Sequence, residues 1–292
     1  MNVPAPDFQK YMTLTDCPYC HTTPAVEIAK NPRVVRCINC GLYRLQPRMN
    51  KEGQIAYLKQ TNDTLDDLTE RGNPLDVHLF DLEEVRELKR HFPGTSANGK
   101  ALDVGTGEGR FVAALRHNGA FEATGLEPLP KVAELGKNAG LDIHVGRFES
   151  DGMPQALEGQ VFDVVCLREV ICYMADLRES FDLLRCVLRP GGGLYIKCHV
   201  PTSICYWKNK DYLLRYGLTV TNMPTLAAMT RILAGEGYQI LKSGYYPFNV
   251  LRSLGVPGAY SFFGGIIGYR LLSPVVHFMG KADRMFILAR RL

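Results

Sequence analysis

No run among the 292 residues is long and apolar enough to span a bilayer. The longest uncharged apolar stretch lies between Arg252 and Arg270 and is broken by Pro257 and by glycines at 255, 258, 264, 265 and 268. It falls short of the ~20 residues a spanning helix requires. The start of the chain lacks a basic segment leading into an apolar core, so no secretory signal is read. Basic residues never form a block: the net charge of +4 is spread along the chain, which provides no nucleic-acid arm and leaves nucleic acid open as a weaker option. The sequence also lacks internal repeats and low-complexity segments. Its nine cysteines are an odd number, and Cys166, Cys172, Cys186, Cys198 and Cys205 sit in apolar segments. That distribution suits reduced thiols in a cytoplasmic protein and argues against a disulfide framework.

A chain of this length with 46% hydrophobic residues buries one substantial core with room for an appendage. Three parts are expected. Residues 1–49 form a polar module built on cysteine pairs, and residues 50–99 a helical linker or cap. Residues 100–292 form the main domain, with an aromatic insertion at about 201–222 carrying Tyr206, Trp207, Tyr212 and Tyr216. In the linker, Val77, Phe80, Leu82, Val85 and Leu88 give an approximate apolar helix face. From residue 100, short apolar strands alternate with helices. Strands are read at Ala101–Val104, Glu122–Glu127, Asp142–Val145, Val161–Leu167 and Gly193–Cys198, then Tyr238–Gly244 and Arg284–Arg290. Helices are read near 109–118, 130–139, 176–188 and 225–235, and Asp176 with Glu179 has capping-box spacing. The pattern is doubly wound α/β.

The first strand runs through Leu102-Asp103-Val104 into Gly105-Thr106-Gly107-Glu108-Gly109, a glycine turn that opens a helix. Glycines there allow a sharp turn and close approach of backbone to a ligand. With Arg110 next, the run is G-x-G-x-G and departs from the dinucleotide fingerprint G-x-G-x-x-G. About twenty residues on, the second strand ends in Gly125-Leu126-Glu127-Pro128, where a carboxylate is placed to accept both ribose hydroxyls of an adenosine.

With Val161-Phe162-Asp163-Val164-Val165-Cys166-Leu167-Arg168-Glu169-Val170 and Val187-Leu188-Arg189-Pro190-Gly191-Gly192-Gly193-Leu194, these motifs resemble the class I S-adenosylmethionine-dependent methyltransferases. The resemblance implies a Rossmann-like seven-stranded sheet whose last strand, Met285–Arg290, runs antiparallel. It implies that Asp103 and the 105–109 loop (Gly105, Thr106, Gly107 and Gly109 among them) hold the methionine end of the cofactor. Glu127 and Pro128 would lie at the ribose, Phe148 and Glu149 at the adenine, and Leu167 and Arg168 at the mouth where methyl meets acceptor.

Cys17-Pro18-Tyr19-Cys20 and Cys37-Ile38-Asn39-Cys40 are two C-x2-C pairs at the spacing of a tetrahedral zinc site, and four sulfurs leave no open position, so a structural Zn2+ is expected. Together with Arg36, Gly41-Leu42 and Gln46-Pro47-Arg48, this segment resembles the N-terminal zinc ribbon of a methyltransferase subgroup linked to sugars, glycans and secondary metabolites.

The acceptor side departs from that family. Relatives often carry a Glu-His pair after the fourth strand, whereas this chain reads Val170-Ile171-Cys172-Tyr173, with tyrosine at the histidine position. Tyr173 and His199, which follows the fifth strand, are the candidate catalytic residues; imidazole suits proton abstraction near neutrality. The expected reaction is methyl transfer to a small-molecule acceptor, a hydroxyl of a sugar, glycan or related metabolite. RNA methylation using the zinc ribbon and a non-catalytic cofactor-binding scaffold are the alternatives. A monomer or homodimer is expected, with residues 253–280 offering a surface for peripheral membrane contact or a dimer partner.

Overall fold

The computed structural model describes residues 8–30, 33–65, 72–92, 99–201, 203, 220–246 and 282–292. The four aromatics of the insertion and the segment 253–280 lie outside the described residues.

The N-terminal part carries strands β1 (Met12–Thr13), β2 (Ala25–Lys30), β3 (Arg33–Cys37), β4 (Tyr43–Leu45) and β5 (Arg48–Met49). Helices α1 (Lys51–Thr64) and α2 (Leu79–His91) follow. The main domain then runs β6 (Lys100–Val104), α3 (Arg110–Arg116), β7 (Glu122–Glu127), α4 (Pro130–Asn138), β8 (Ile143–Val145), β9 (Phe162–Arg168), α5 (Leu177–Val187), β10 (Leu188–His199), β11 (Asn222–Met223), α6 (Leu226–Gly235), β12 (Tyr238–Tyr246) and β13 (Arg284–Arg291). Seven strands form one sheet in the order β12-β13-β10-β9-β6-β7-β8. The inner neighbours pair parallel, and β13 inserts antiparallel between β10 and β12. The seven-stranded sheet and its antiparallel last strand match the Rossmann-like expectation, and the main-domain strands lie close to where the sequence pattern puts them. The fifth strand is longer than read: Arg189–Gly192 form an irregularity inside β10 rather than a turn before it.

Alternation along the strands feeds two cores, as period-two side chains on a doubly covered sheet must. Leu102, Val165, Leu194 and Ile287 pack with Leu177, Phe181 and Leu184 of α5 and Met229 and Leu233 of α6. Their neighbours Ala101, Val164, Tyr195 and Leu288 face the other way, onto Leu88 of α2 and Phe111 and Leu115 of α3.

Two features depart from the sequence pattern. In α2 the buried stripe is Asp81, Val85 and Leu88, while Phe80 is 40% exposed. The helix is turned from its apparent apolar face because Asp81 and Glu84 reach Arg168 at the end of β9, at 2.6 and 3.0 Å. The cysteine segment does not stand alone either. Cys17, Cys37, Cys40 and Leu42 belong to the α5–α6 core, and β11 from the main body completes the order β11-β4-β3-β2. Among the described residues, no helix is long and apolar enough to cross a membrane.

Candidate functional site

The glycine loop leaves β6 with Gly105, Gly107 and Gly109 at φ of +68°, +60° and +93°, a region closed to most side chains. Each glycine has its own surroundings. A Cβ on Gly109 would meet Ile143 Cδ1 at 2.6 Å and Leu141 Cδ1 at 2.8 Å, whereas one on Gly107 would meet nothing within 4 Å. Gly109 lets the loop pack; Gly107 leaves room in front of it. The Gly105 and Thr106 amides donate to the Leu126 carbonyl at 2.7 and 3.1 Å, which ties the loop to the end of β7.

Glu127 sits at that end. Its Oε2 accepts from the Gly107 amide at 2.8 Å and its Oε1 from the Leu129 amide at 3.0 Å, so the carboxylate is fixed between the loop and the start of α4. Behind the loop, Asp103 is 2% exposed, and its Oδ1 is buried with no hydrogen-bond partner among the described residues. Desolvation pushes its carboxyl up to about 6, against the pull of Arg168. Thr106 beside it also lowers its pKa, and a buried acceptor open at Oδ1 among the described residues can take a donor from a ligand.

A cavity of about 450 Å³ opens beside these groups, lined by Gly105, Glu127, Pro128, Phe148, Glu149, Arg168 and Tyr173 among others. This is the size range of a small-molecule site. The remaining expected residues do not line it. Asp103, Thr106, Gly107 and Gly109 support the loop from outside the lining, and Leu167, expected at the mouth, is a core residue 1% exposed. Arg168 does reach the cavity, but its guanidinium is held by Asp81 and Glu84 and stacks 3.8 Å over the Phe111 ring. Glu149 is likewise engaged, by Arg147 Nε at 2.9 Å and Lys51 Nζ at 3.6 Å.

His199, 8% exposed, lies outside the lining, yet its Nδ1 is 2.6 Å from Glu169 Oε2. Glu169 lines the cavity and was not singled out by the sequence. It occupies φ +59°, unusual for a non-glycine residue, and its Oε1 accepts from Arg284 Nε at 2.5 Å. Burial works to raise its pKa, but His199 and Arg284 outweigh it and hold the carboxyl at about 2. Glu169, His199 and Arg284 come from the ends of three adjacent strands, and the last two are register partners. The only sequence signal for Glu169 was its place after a strand end.

The other unforeseen wall is α1, which contributes Gln54, Ile55, Tyr57, Leu58 and Thr61 to the cavity. Asn50 caps the helix through a bond from the Gly53 amide at 2.9 Å. Lys131 anchors its far end, with N to Asn62 Oδ1 at 3.0 Å and Nζ to the Leu65 carbonyl at 2.9 Å.

The four sulfurs of Cys17, Cys20, Cys37 and Cys40 lie within 4.8 Å of one another, a grouping able to hold a metal ion. Each pair sits on a tight turn closed by backbone bonds, His21 N to Cys17 O at 2.9 Å and Gly41 N to Cys37 O at 3.1 Å. The Cys17 and Cys40 sulfurs approach to 3.4 Å, as do those of Cys20 and Cys37. Four thiolates at this separation need a cation to coexist, and a soft divalent ion fits the donor set. The His21 ring turns to Asp176 Oδ2 at 3.0 Å.

The geometry agrees with what the chain is similar to. No curated protein matches the sequence. Among solved structures, a SAM-dependent methyltransferase from Archaeoglobus fulgidus aligns with TM-score 0.51 at 15% identity, covering 72% of this chain and 94% of that one. One from Mesorhizobium loti gives 0.51 at 16%, covering 70% and 96%. A third, from Thermotoga maritima, gives 0.50 at 15%, covering 82% and 97%. At these identities the likeness shows the fold. The family described as a methyltransferase domain matches residues 78–243, a span from α2 into β12 that includes the glycine loop, Glu127 and Glu169. The chain therefore belongs to the methyltransferase-domain family.

Proposed function

We propose that the enzyme methylates a hydroxyl of a small molecule, with sugars, glycans and related metabolites as the acceptor class. The observation that carries this reading is a cavity with Glu127 in its lining beside the glycine loop, and with Glu169 and Tyr173 in the same lining. The bound cofactor supplies a sulfonium-activated methyl group, so the protein's task is mainly positioning and handling one proton.

Each residue's part follows from its surroundings. Glu127, preset by two backbone amides, accepts the ribose hydroxyls. Asp103, with its orphan oxygen, balances the ammonium of the methionine moiety. Phe148 lies along the adenine. Tyr173 orients the acceptor through its phenol. His199, whose Nδ1 meets Glu169 Oε2, is the imidazole assigned to the hydroxyl's proton. A metal in the four-thiolate cluster is structural, and Zn2+ suits it. The sugar class rests on the likeness of the cysteine module to the ribbon of glycan-linked relatives, while the hydroxyl rests on the proton-handling groups near the cavity.

The test is transfer of labelled methyl from S-adenosylmethionine by the zinc-loaded protein to a panel of nucleotide sugars, glycans, hydroxylated metabolites and RNA. Turnover with a hydroxylated small molecule, reduced at least tenfold by His199→Ala, is the expected result. Transfer only to RNA, with binding that falls steeply with salt, would replace the acceptor class.

A further inference from the structure

The segment from Glu169 to Asp176 joins β9 to α5 and carries Tyr173. The carbonyls of Ile171, Cys172, Met174 and Ala175 accept hydrogen bonds from Arg48 of the cysteine module or from Thr221 and Asn222 at the strand that pairs with it. Asn222 Nδ2 donates to the Met174 carbonyl at 2.5 Å and to that of Ile171 at 3.4 Å. The Thr221 amide donates to the Cys172 carbonyl at 2.9 Å. Thr221 and Asn222 are fully buried, and Asn222 begins β11, the strand that pairs with β4 of the module through Asn222↔Arg44 and Met223↔Tyr43. Arg48, one residue beyond the Gln46-Pro47 dipeptide, donates from Nη1 to the Ala175 carbonyl at 2.8 Å while its Nε holds Thr15 Oγ1 at 2.7 Å.

The far end of the segment is held by a metal-ligating turn. Pro18, between Cys17 and Cys20, accepts from the Leu177 and Arg178 amides at 2.9 and 3.2 Å, two of the N–H groups that a helix start leaves open. Tyr19 in the same turn donates to Glu236 Oε1 at 2.7 Å and lies under the Arg178 guanidinium, 4.3 Å from ring centroid to Cζ. The geometry of the Cys17–Cys20 turn thus sets where α5 begins, and the start of α5 sets where the cavity segment ends.

We propose that Arg48, Asn222 and the Pro18 carbonyl are positioning groups for the acceptor side of the cavity, so that the metal-bound cysteine module holds Tyr173 in place. This rests on the reading of Tyr173 as an acceptor contact. The module reaches the chemistry through the backbone of residues 171–178. Apart from the β11 pairing, its bonds to the main body named above end on residues 171–178 and Glu236, which places its effect at the acceptor end of the cavity. A metal-free chain keeps its sheet and glycine loop but loosens the segment between β9 and α5.

The test is hydrogen exchange on the full-length chain loaded with Zn2+, comparing wild type with Arg48→Ala, Arg48→Lys and Asn222→Ser, and with wild type after chelation. Arg48→Ala and chelation should each speed amide exchange in 171–178 at least tenfold and leave 100–109 and 122–129 at wild-type protection. Arg48→Lys, which keeps one donor, should fall between. Unchanged protection in 171–178 after both treatments would overturn the proposal. So would an equal rise across all peptides, because the module would then be a general stabiliser. Calorimetry with S-adenosylhomocysteine on the same wild-type sample reads the cofactor site separately, so a missing cofactor site would be told apart from a missing coupling.

Discussion

Gly107 and Gly109 are two residues apart and both left-handed, yet their replacement by alanine should fail in different ways. At Gly109 the φ of +93° and the approach of Leu141 and Ile143 combine, so Gly109→Ala should cost about 1–3 kcal/mol of stability, seen as a lower Tm. At Gly107 the added methyl meets open space, so Gly107→Ala should cost only about 1 kcal/mol in folding. Its larger effect should be weaker binding of S-adenosylhomocysteine by calorimetry. Asp103 gives a pH prediction. Its folded pKa of about 6 lies above the usual carboxylate value because it is desolvated. The native state therefore takes up a proton before the unfolded state does, and this group's contribution to stability rises as pH falls from about 6 towards 4. Cofactor affinity should move the opposite way, weakening below about pH 6 as the negative charge proposed to balance the cofactor's ammonium is lost. Asp103→Asn should flatten that pH dependence in binding titrations. Glu169 has the reverse sign: held at about 2, it adds stability above the ordinary carboxylate range that is lost as pH falls through that range towards 2. Asp103 and Glu127 were legible because a strand, a glycine turn and an acidic strand end keep fixed sequence distances. Glu169 was not, since its meaning comes from His199 and Arg284, the latter more than a hundred residues away and joined to it only when β13 enters the sheet.

Among elements, α5 shows how much a local signal can carry. Asp176 accepts from the Glu179 amide at 3.0 Å, as their spacing implied, and also pairs with His21 of the cysteine module. Asp176→Ala should cost about 1 kcal/mol and lower Tm by about 2–4 °C, checked by thermal unfolding of the metal-loaded protein. Helix α2 shows the limit of such signals. Its apolar pattern suggested a face containing Phe80, but buried ion pairs from Asp81 and Glu84 to Arg168 set the rotation, and a hydrophobic pattern gives no weight to an acidic residue on the inner face. Helix α1 is a third case. It is weakly patterned because the side that carries Ile55 and Leu58 faces the cavity and not a packed core, so its helical character was visible but its role as a wall was not.

For the whole molecule, the seven-stranded sheet and its antiparallel last strand followed from alternating strands and helices together with a family resemblance, and the structure bears both out. The integration of the cysteine segment was hidden. Composition marks residues 14–49 as separate, but the sheet that completes the segment borrows β11 from a point nearly two hundred residues along the chain. What joins the parts is a common destination, because the glycine loop, α1, the β9–α5 segment and Glu127 all end at one cavity. The central claim is that this cavity binds S-adenosylmethionine through Glu127. The direct measurement is calorimetric titration of the zinc-loaded protein with S-adenosylmethionine and S-adenosylhomocysteine, beside Glu127→Ala. The account predicts micromolar binding of both by the wild type, weakened by about 2–3 kcal/mol, or roughly 30- to 150-fold, in the variant. Well-folded wild-type protein that binds neither, or a variant that binds both as tightly as wild type, would contradict it.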